Sequence, residues 1–251
     1  MSLVLSMFPG IDLLGLAFKR EGFCVVQGGD VIFGGDVRDE HYPPGRFEGV
    51  IGGPPCQAFS QLAHMVRHNG HETKFGNLIP EFERVVGEAQ PQWFVMENVP
   101  GAPLPQVHNY GTHSFLINNR QFGEAQNRVR RWTFGYRGER RVLMVKTVAL
   151  ESIEWEPAAV GSSGSSLGSA GWDGGKGKRR RSRGRLPSNN KRKGAFRDLC
   201  RKQGLPEDFD LPGMTVRGKC CAVGNGVPLA MGRAIARAVR EATETNVGGR
   251  L

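Results

Sequence analysis

The chain lacks any apolar run near the roughly 18 residues that a membrane-crossing helix requires. Its start, Met1-Ser2-Leu3-Val4-Leu5-Ser6-Met7-Phe8, has no basic lead and soon meets Pro9-Gly10, so neither secretion nor membrane insertion is expected. Cysteine is scarce and poorly arranged for staples. The five, Cys24, Cys56, Cys200, Cys220 and Cys221, are odd in number, include an adjacent pair and show no CxxC spacing. That pattern argues against a disulfide framework or a zinc ribbon and for a reduced, intracellular setting. His64, His68 and His71, spaced H-x3-H-x2-H in a loop, are a weak ligand pattern, and no metal site is expected. Acidic residues are missing from one window altogether. Residues 176–193 carry ten Lys and Arg and no acid, which equals the formal net charge of +10, so the rest of the chain is neutral. Such a block either grips phosphate backbones or is a solvated arm. No internal repeat is present.

What the chain does have, in 251 residues, is enough for one sizeable core with at most a small appended module. Apolar residues 3–7 read as a buried strand, followed by Pro9-Gly10 and a helical pattern over Leu13–Phe18. Strands are expected around Phe23–Gln27, Phe47–Ile51, Trp93–Met96, Ser114–Asn118 and Arg131–Phe134, with a helix near Leu78–Glu88. This alternation implies an α/β sheet. From Gly161 to Asn190 the chain is mostly Gly, Ser, Lys and Arg, which cannot form a core and predicts a mobile loop. Order resumes at Phe196-Arg197-Asp198-Leu199-Cys200, and Leu229–Glu241 reads as an amphipathic helix that packs back on the sheet.

One thiol is set at a stiffened point. Cys56 follows Val50-Ile51 and the run Gly52-Gly53-Pro54-Pro55, where glycines allow close backbone approach and prolines fix φ. A buried free cysteine is otherwise often only a small hydrophobe. Downstream, Trp93-Phe94-Val95-Met96 ends in Glu97, mirroring the strand before Cys56. Both side chains would then emerge at the carboxyl edge of the sheet, where open α/β sheets bind ligands. Gln126, Arg128 and Arg130 alternate in Gln126-Asn127-Arg128-Val129-Arg130, which puts three long donors on one strand face.

Phe8-Pro9-Gly10, Gly53-Pro54-Pro55-Cys56-Gln57, Glu97-Asn98-Val99, Gln126-Asn127-Arg128-Val129-Arg130 and Gly224-Asn225-Gly226-Val227-Pro228, in this order, resemble the motif series of DNA cytosine-5 methyltransferases. The stretch Arg197–Phe209 is similar to the motif that precedes the last of these. The resemblance spans residues 6 to about 135 and 194 to 240. It implies an S-adenosylmethionine-dependent, Rossmann-like α/β fold, with a catalytic domain of residues 1–136 and 215–251. A small, reduced target-recognition region would occupy 137–214 and contain the basic loop at about 161–193. The family's chemistry implies that Cys56 attacks C6 of a cytosine flipped out of duplex DNA, while Glu97 bonds N3 and the exocyclic amine. Arg130 would donate to O2, with Arg128 orienting Glu97 and Gln126 beside them. C5 then takes the methyl group of S-adenosylmethionine. Residues 61–75 fall where the family has a loop that closes over the base.

For the cofactor, the resemblance implies contacts from Phe8, Gly10, Asp30, Asp36, Pro54, Leu78, Asn225 and Gly226. Asp12 stands where the family usually has a second glycine, and its carboxylate is a candidate partner for the cofactor's ammonium. Only five residues separate Asp30 from Asp36, too few for the usual helix. Gln57 and Ser60, with Lys178, Arg179, Arg180, Arg181, Arg183 and Arg185, are the candidate nucleic-acid contacts, and double-stranded DNA is the expected partner. A monomer in the cytoplasm of a bacterial or phage-infected cell, at the nucleoid through its DNA, is expected. Methylation of tRNA cytosine and a catalytically silent DNA-binding homologue remain as rival readings. If the basic block grips DNA, affinity should fall about 10³-fold or more between 50 and 200 mM salt, as for proteins making 6–10 phosphate contacts. Fluorescence anisotropy on a labelled duplex measures this, and salt-independent binding would rule the block out as the grip.

Overall fold

A computed structural model describes residues 3–55, 76–148, 155–159 and 189–244. Cys56, Gln57, Ser60, the stretch 61–75 and Lys178, Arg179, Arg180, Arg181, Arg183 and Arg185 lie outside the described residues. The elements run β1 (Leu3–Met7), α1 (Leu13–Arg20), β2 (Cys24–Gln27), β3 (Gly49–Gly52), α2 (Ile79–Ala89), β4 (Trp93–Asn98), β5 (Tyr110–Asn118), β6 (Gln126–Asn127), β7 (Val129–Arg137), β8 (Glu156–Pro157), α3 (Asn189–Lys202), α4 (Val216–Asn225) and α5 (Leu229–Glu244). Among the described residues no helix is long and apolar enough to cross a membrane.

Six strands form one sheet in the order β2-β1-β3-β4-β7-β5, and β6 and β8 form a separate parallel pair. Strands β1 to β4 are parallel, whereas β7 runs antiparallel to both β4 and β5. From β1 the chain moves outward to β2 and then returns to the other side of β1 as β3. The crevice between the carboxyl ends of β1 and β3 is therefore the switch point where such sheets bind ligands.

Side-chain alternation divides the sheet into two buried faces. Val4, Ile51, Trp93, Val95, Trp132 and Phe134 pack with Leu14 and Phe18 of α1 and with Met231, Ile235 and Val239 of α5. Leu5, Val50, Phe94 and Met96 pack with Ile79, Phe82, Val85 and Val86 of α2 on the other face. Two cross-strand pairs match a glycine to an aromatic ring. Gly49 lies opposite Trp93 and Gly135 opposite Phe94. A methyl group would come within 2.2 Å of the indole at the first and 2.1 Å of the ring at the second.

The local capping explains where the helices begin. Asp12 precedes α1 in a left-handed conformation, and its carboxylate accepts from Gly15 N. Lys19 and Arg20 in the last turn complement the helix dipole. Asn77 Oδ1 accepts from Ile79 N at the start of α2, and Pro80 occupies the first turn, where no amide donor is needed. Two short 3₁₀ turns, Val31–Phe33 and Val37–Asp39, stand where a longer helix was ruled out by spacing.

The C-terminal helices differ from the expected layout in two respects. Helix α3 already begins at Asn189, so the last residues of the expected basic loop are helical. Phe196, Leu199, Cys200 and Leu205 share a cluster with Leu13 and Ala17 of α1, Cys220 and Val223 of α4, and Leu229 of α5. The expected boundary at residue 214 is thus not a boundary between cores. Packing on the outer side of α1 buries that stretch against the sheet domain. Burial also pushes the Cys200 thiol up to about 11 and raises Cys220, so both stay neutral core residues at ordinary pH.

Gly135→Ala should lower unfolding free energy by about 1–3 kcal/mol, the usual cost of overpacking a well-filled site. Gly87→Ala, on the exposed face of α2 with open space around it, should instead be stabilising by about 0.5–1 kcal/mol. Urea midpoints at unchanged m distinguish the two.

Candidate active site

Glu97 and Arg130 meet at the carboxyl end of β4. Glu97 lies opposite Trp132 in the β4–β7 pairing, and Arg130 is two residues before Trp132 in β7, on the same face. Long side chains reach across such a diagonal. Arg130 Nε lies 2.8 Å from Glu97 Oε1, with the two side chains 16% and 12% exposed. The pair is largely desolvated, and the second carboxylate oxygen has no hydrogen-bond partner among the described residues. That oxygen faces β3: a methyl group on Gly53 would stand 3.1 Å from Glu97 Oε2.

The neighbouring residues hold the two strand ends together. Asn98 Nδ2 donates to Pro54 O at 3.3 Å, and Asn98 Oδ1 accepts from Val99 N at 2.8 Å. Pro54 is buried. Arg131, the next residue of β7, donates from Nε and Nη2 to Pro100 O at 2.9 and 2.5 Å. The loop after Glu97 is therefore pinned from both sides, and the Gly-Gly-Pro-Pro approach to Cys56 is fixed beside the carboxylate. Neither Asn98 nor Arg131 was singled out from sequence. The only signal for them was adjacency to Glu97 and Arg130.

Gln126 and Arg128 have other work than Glu97. Gln126 is buried, donating from Nε2 to Lys202 O and accepting from Ala159 N at 3.1 Å. Arg128, also buried, donates to Ala159 O, to Gly224 O at 3.1 Å and to Gly226 O at 3.1 Å. The expectation that Arg128 orients Glu97 is corrected. The chain between β6 and β7 is not a continuous strand, and Arg128 turns to the carbonyl end of α4, whose last-turn acceptors need donors.

At the β1–β3 switch point the first turn is conformationally special. Phe8, Gly10 and Asp12 all have positive φ, at 53°, 53° and 55°. Two of these are not glycine, and such strain is held only where surrounding contacts over-determine it. Asp30 supplies one such contact, because its Oδ2 accepts from Gly10 N at 2.9 Å and its Oδ1 from Ile32 N at 2.9 Å. Asp30 thus braces this turn. Asp12, by contrast, does not face a ligand. It is 3% exposed and accepts from Ser6 Oγ at 2.7 Å, Gln27 Nε2 at 2.9 Å and Gly15 N at 3.1 Å, with Lys19 Nζ 3.7 Å away. Its role is to cap α1 and brace the turn.

Asp36 caps the second 3₁₀ turn and pairs with Arg38 Nη2 at 2.5 Å, hydrogen bonds that hold its carboxyl down at about 2. Leu78 is half-buried just before α2, and Asn225 is exposed at the end of α4. Gly226 packs onto α1, since a methyl group there would come within 2.6 Å of Leu13 Cδ1. Beside the first turn, Val31 and Ile32 are 52% and 44% exposed. They form an apolar ledge fit for the face of a planar ring.

A parallel sheet with an antiparallel β7 insertion and its ligand edge at the carboxyl ends is the fold of S-adenosylmethionine-dependent methyltransferases. The solved structures bear this out. A putative DNA modification methyltransferase encoded within an E. coli prophage has a TM-score of 0.56 at 16% identity, with coverage of 96% of this chain and 99% of that one. The S. pombe Dnmt2 methyltransferase gives 0.62 at 10% identity, covering 97% and 100%. A family model described as C-5 cytosine-specific DNA methylase matches residues 26–161. The chain belongs to that family. The type II methyltransferase M.NgoPII of Neisseria gonorrhoeae is 27% identical over 167 residues, covering 53% of this chain and 48% of the relative. The chain spans about half the length of the curated relatives it matches.

Replacing Arg130 by Met leaves the Glu97 carboxylate without its partner and should lower unfolding free energy by about 3 kcal/mol, the low end for breaking a buried pair. Glu97→Gln, whose amide oxygen still accepts from Arg130, should cost less than half as much. Chemical denaturation of both variants checks the order.

Proposed function

We propose that this protein is a DNA cytosine-5 methyltransferase that uses S-adenosylmethionine. The reading rests on one observation above all: Glu97, held by Arg130 at 2.8 Å, lies against Gly53 in the run that ends in Cys56. A carboxylate and an arginine at this spacing offer an acceptor for the exocyclic amine and a donor for a ring carbonyl, the pattern displayed by a cytosine edge.

On this reading the Cys56 sulfur, after losing its proton, forms a bond to C6 of the flipped cytosine. The C5–C6 π electrons move into the ring, and charge gathers at N3 and O2. Glu97, in its protonated form, donates to N3 and accepts from the amine through its other oxygen, while Arg130 donates to O2, so both stabilise the charge where it develops. When bound, S-adenosylmethionine supplies an electrophilic methyl group to C5. Loss of the C5 proton to solvent then re-forms the C5–C6 double bond and expels Cys56 as thiolate, and the N3 proton returns to Glu97, restoring the catalyst.

The residues at the β1–β3 switch fit the adenosine end of that cofactor. Val31 and Ile32 offer exposed apolar surface beside Gly10. Each Asp30 oxygen accepts one backbone amide and keeps a lone pair for a ribose hydroxyl. Phe8, Pro54, Leu78, Asn225 and Gly226 are assigned to the remaining wall. The ammonium of the methionine end must find partners other than Asp12, which is fully engaged. Duplex DNA is the proposed partner, with the basic window 176–193 supplying backbone affinity and Gln57 and Ser60 near the flipped base.

Methyl transfer from labelled S-adenosylmethionine should appear on duplex DNA and not on tRNA assayed in parallel. A duplex carrying 5-fluorocytosine should form a covalent adduct in the presence of cofactor, and Cys56→Ser should form none. Glu97→Gln should lower kcat by about 10²–10⁴, the range for a lost proton-transfer or charge-stabilising group. Transfer confined to tRNA would favour the rival substrate, and an adduct that survives Cys56→Ser would overturn the mechanism.

A further inference from the structure

The carbonyl end of α4 is held by two buried side chains from different parts of the chain. A helix leaves its last carbonyls without intrahelical partners. Arg128 donates to Gly224 O and Gly226 O. Gln203, just after α3 and 0% exposed, donates from Nε2 to Val223 O at 2.8 Å and to Gly226 O at 2.9 Å. Its backbone carbonyl accepts from Leu229 N at 3.0 Å, at the start of α5. Gln203 Oε1 is buried without a hydrogen-bond partner among the described residues. An unmet buried acceptor is unfavourable, so this side chain is kept for its donors.

These bonds press the Gly224-Asn225-Gly226 turn toward α1. Gly226 seats on Leu13, with space for no methyl group, and Leu13 directly follows the strained Phe8–Asp12 turn. Asn225 is left exposed at that edge. Arg128 is at the same time two residues before Arg130, the partner of Glu97. We propose that Gln203 is a positioning residue for the cofactor edge: with Arg128 it clamps the end of α4, seats Gly226 on Leu13 and presents Asn225 beside the first turn. This assignment rests on the methyltransferase reading above. It makes the closing turn and the base-site strand one rigid unit.

The test is binding of S-adenosylhomocysteine to the full chain by calorimetry, together with steady-state kinetics on duplex DNA. Gln203→Met keeps the volume and removes the donors. It should raise Kd for S-adenosylhomocysteine and KM for S-adenosylmethionine about tenfold or more, with kcat within about twofold of the parent. Adding Arg128→Lys should give less than the product of the single effects, because both side chains hold Gly226 O. Should Gln203→Met fold poorly, Gly226→Ala unseats the same turn from the other side and should weaken binding similarly, with Leu13→Ala in the same chain restoring part of it. Unchanged Kd and KM in Gln203→Met beside a lowered Tm would overturn the inference and leave a purely structural glutamine. A parent protein that binds no S-adenosylhomocysteine would sink the methyltransferase reading itself, a result separable from failure in the variant alone.

Discussion

The site depends on the parallel register of β3 and β4. With Gly52 opposite Met96, the turn that leads to Cys56 and Glu97 near the end of β4 emerge at the same height. Gly53 has no side chain to hold them apart. Displacement of either strand by one residue would send Glu97 to the α2 face, because strand side chains alternate with period two. The Asn98–Pro54 bond then fixes in the loops what the ladder fixes in the sheet. Arg130 reaches Glu97 only because β7 runs back antiparallel along β4 and places its start beside the end of that strand.

Much of this was legible in the sequence, and the reasons are local. Strands β1, β3 and β4 are short, largely apolar runs, β3 closing on Gly52 and β4 on Glu97-Asn98, and α2 and α5 carry clear helical periodicity. Glu97 and Arg130 could each be singled out because each sits where a strand meets a loop motif, but the partner expected for Glu97 was Arg128, and the structure pairs it with Arg130. The failures share a physical cause. Asp12 and Arg128 are charged residues whose partners lie far along the chain or in backbone groups: Ser6 and Gln27 for one, the carbonyls of residues 224 and 226 for the other. Sequence shows the charge but not which backbone acceptors surround it. Alternation was carried across Gln126, Arg128 and Arg130 as one strand, whereas β6 and β7 are separate strands. The extent of α3 was missed because its first turns are basic and polar, and its later turns are buried by distant elements, α1, α4 and α5.

The segment between β2 and β3 shows how a shortened connection is compensated. Two 3₁₀ turns replace a longer helix, and Glu40 takes over part of its role. Its carboxylate accepts from Gly29 N at 2.8 Å and from the Tyr42 hydroxyl, and a methyl group on Gly29 would overlap it at 1.9 Å. Burial and that carboxylate together raise the Tyr42 hydroxyl well above its ordinary value, keeping it a donor. The loop that carries Asp30 is thus braced by polar contacts rather than by helix packing.

The two glycine–aromatic pairs have a further consequence for how the chain finds its native alignment. Trp93 fits opposite Gly49, and Phe94 opposite Gly135, only because those positions have no side chain. A slip of one residue would set the indole against Val50, and the phenyl ring against Phe134 or Tyr136. The glycines therefore act as steric keys on both flanks of β4: misaligned pairings are rejected by volume before any ligand is present. Assembly of the chemical edge is in that sense decided in the middle of the sheet, by two residues that never approach the reacting atoms.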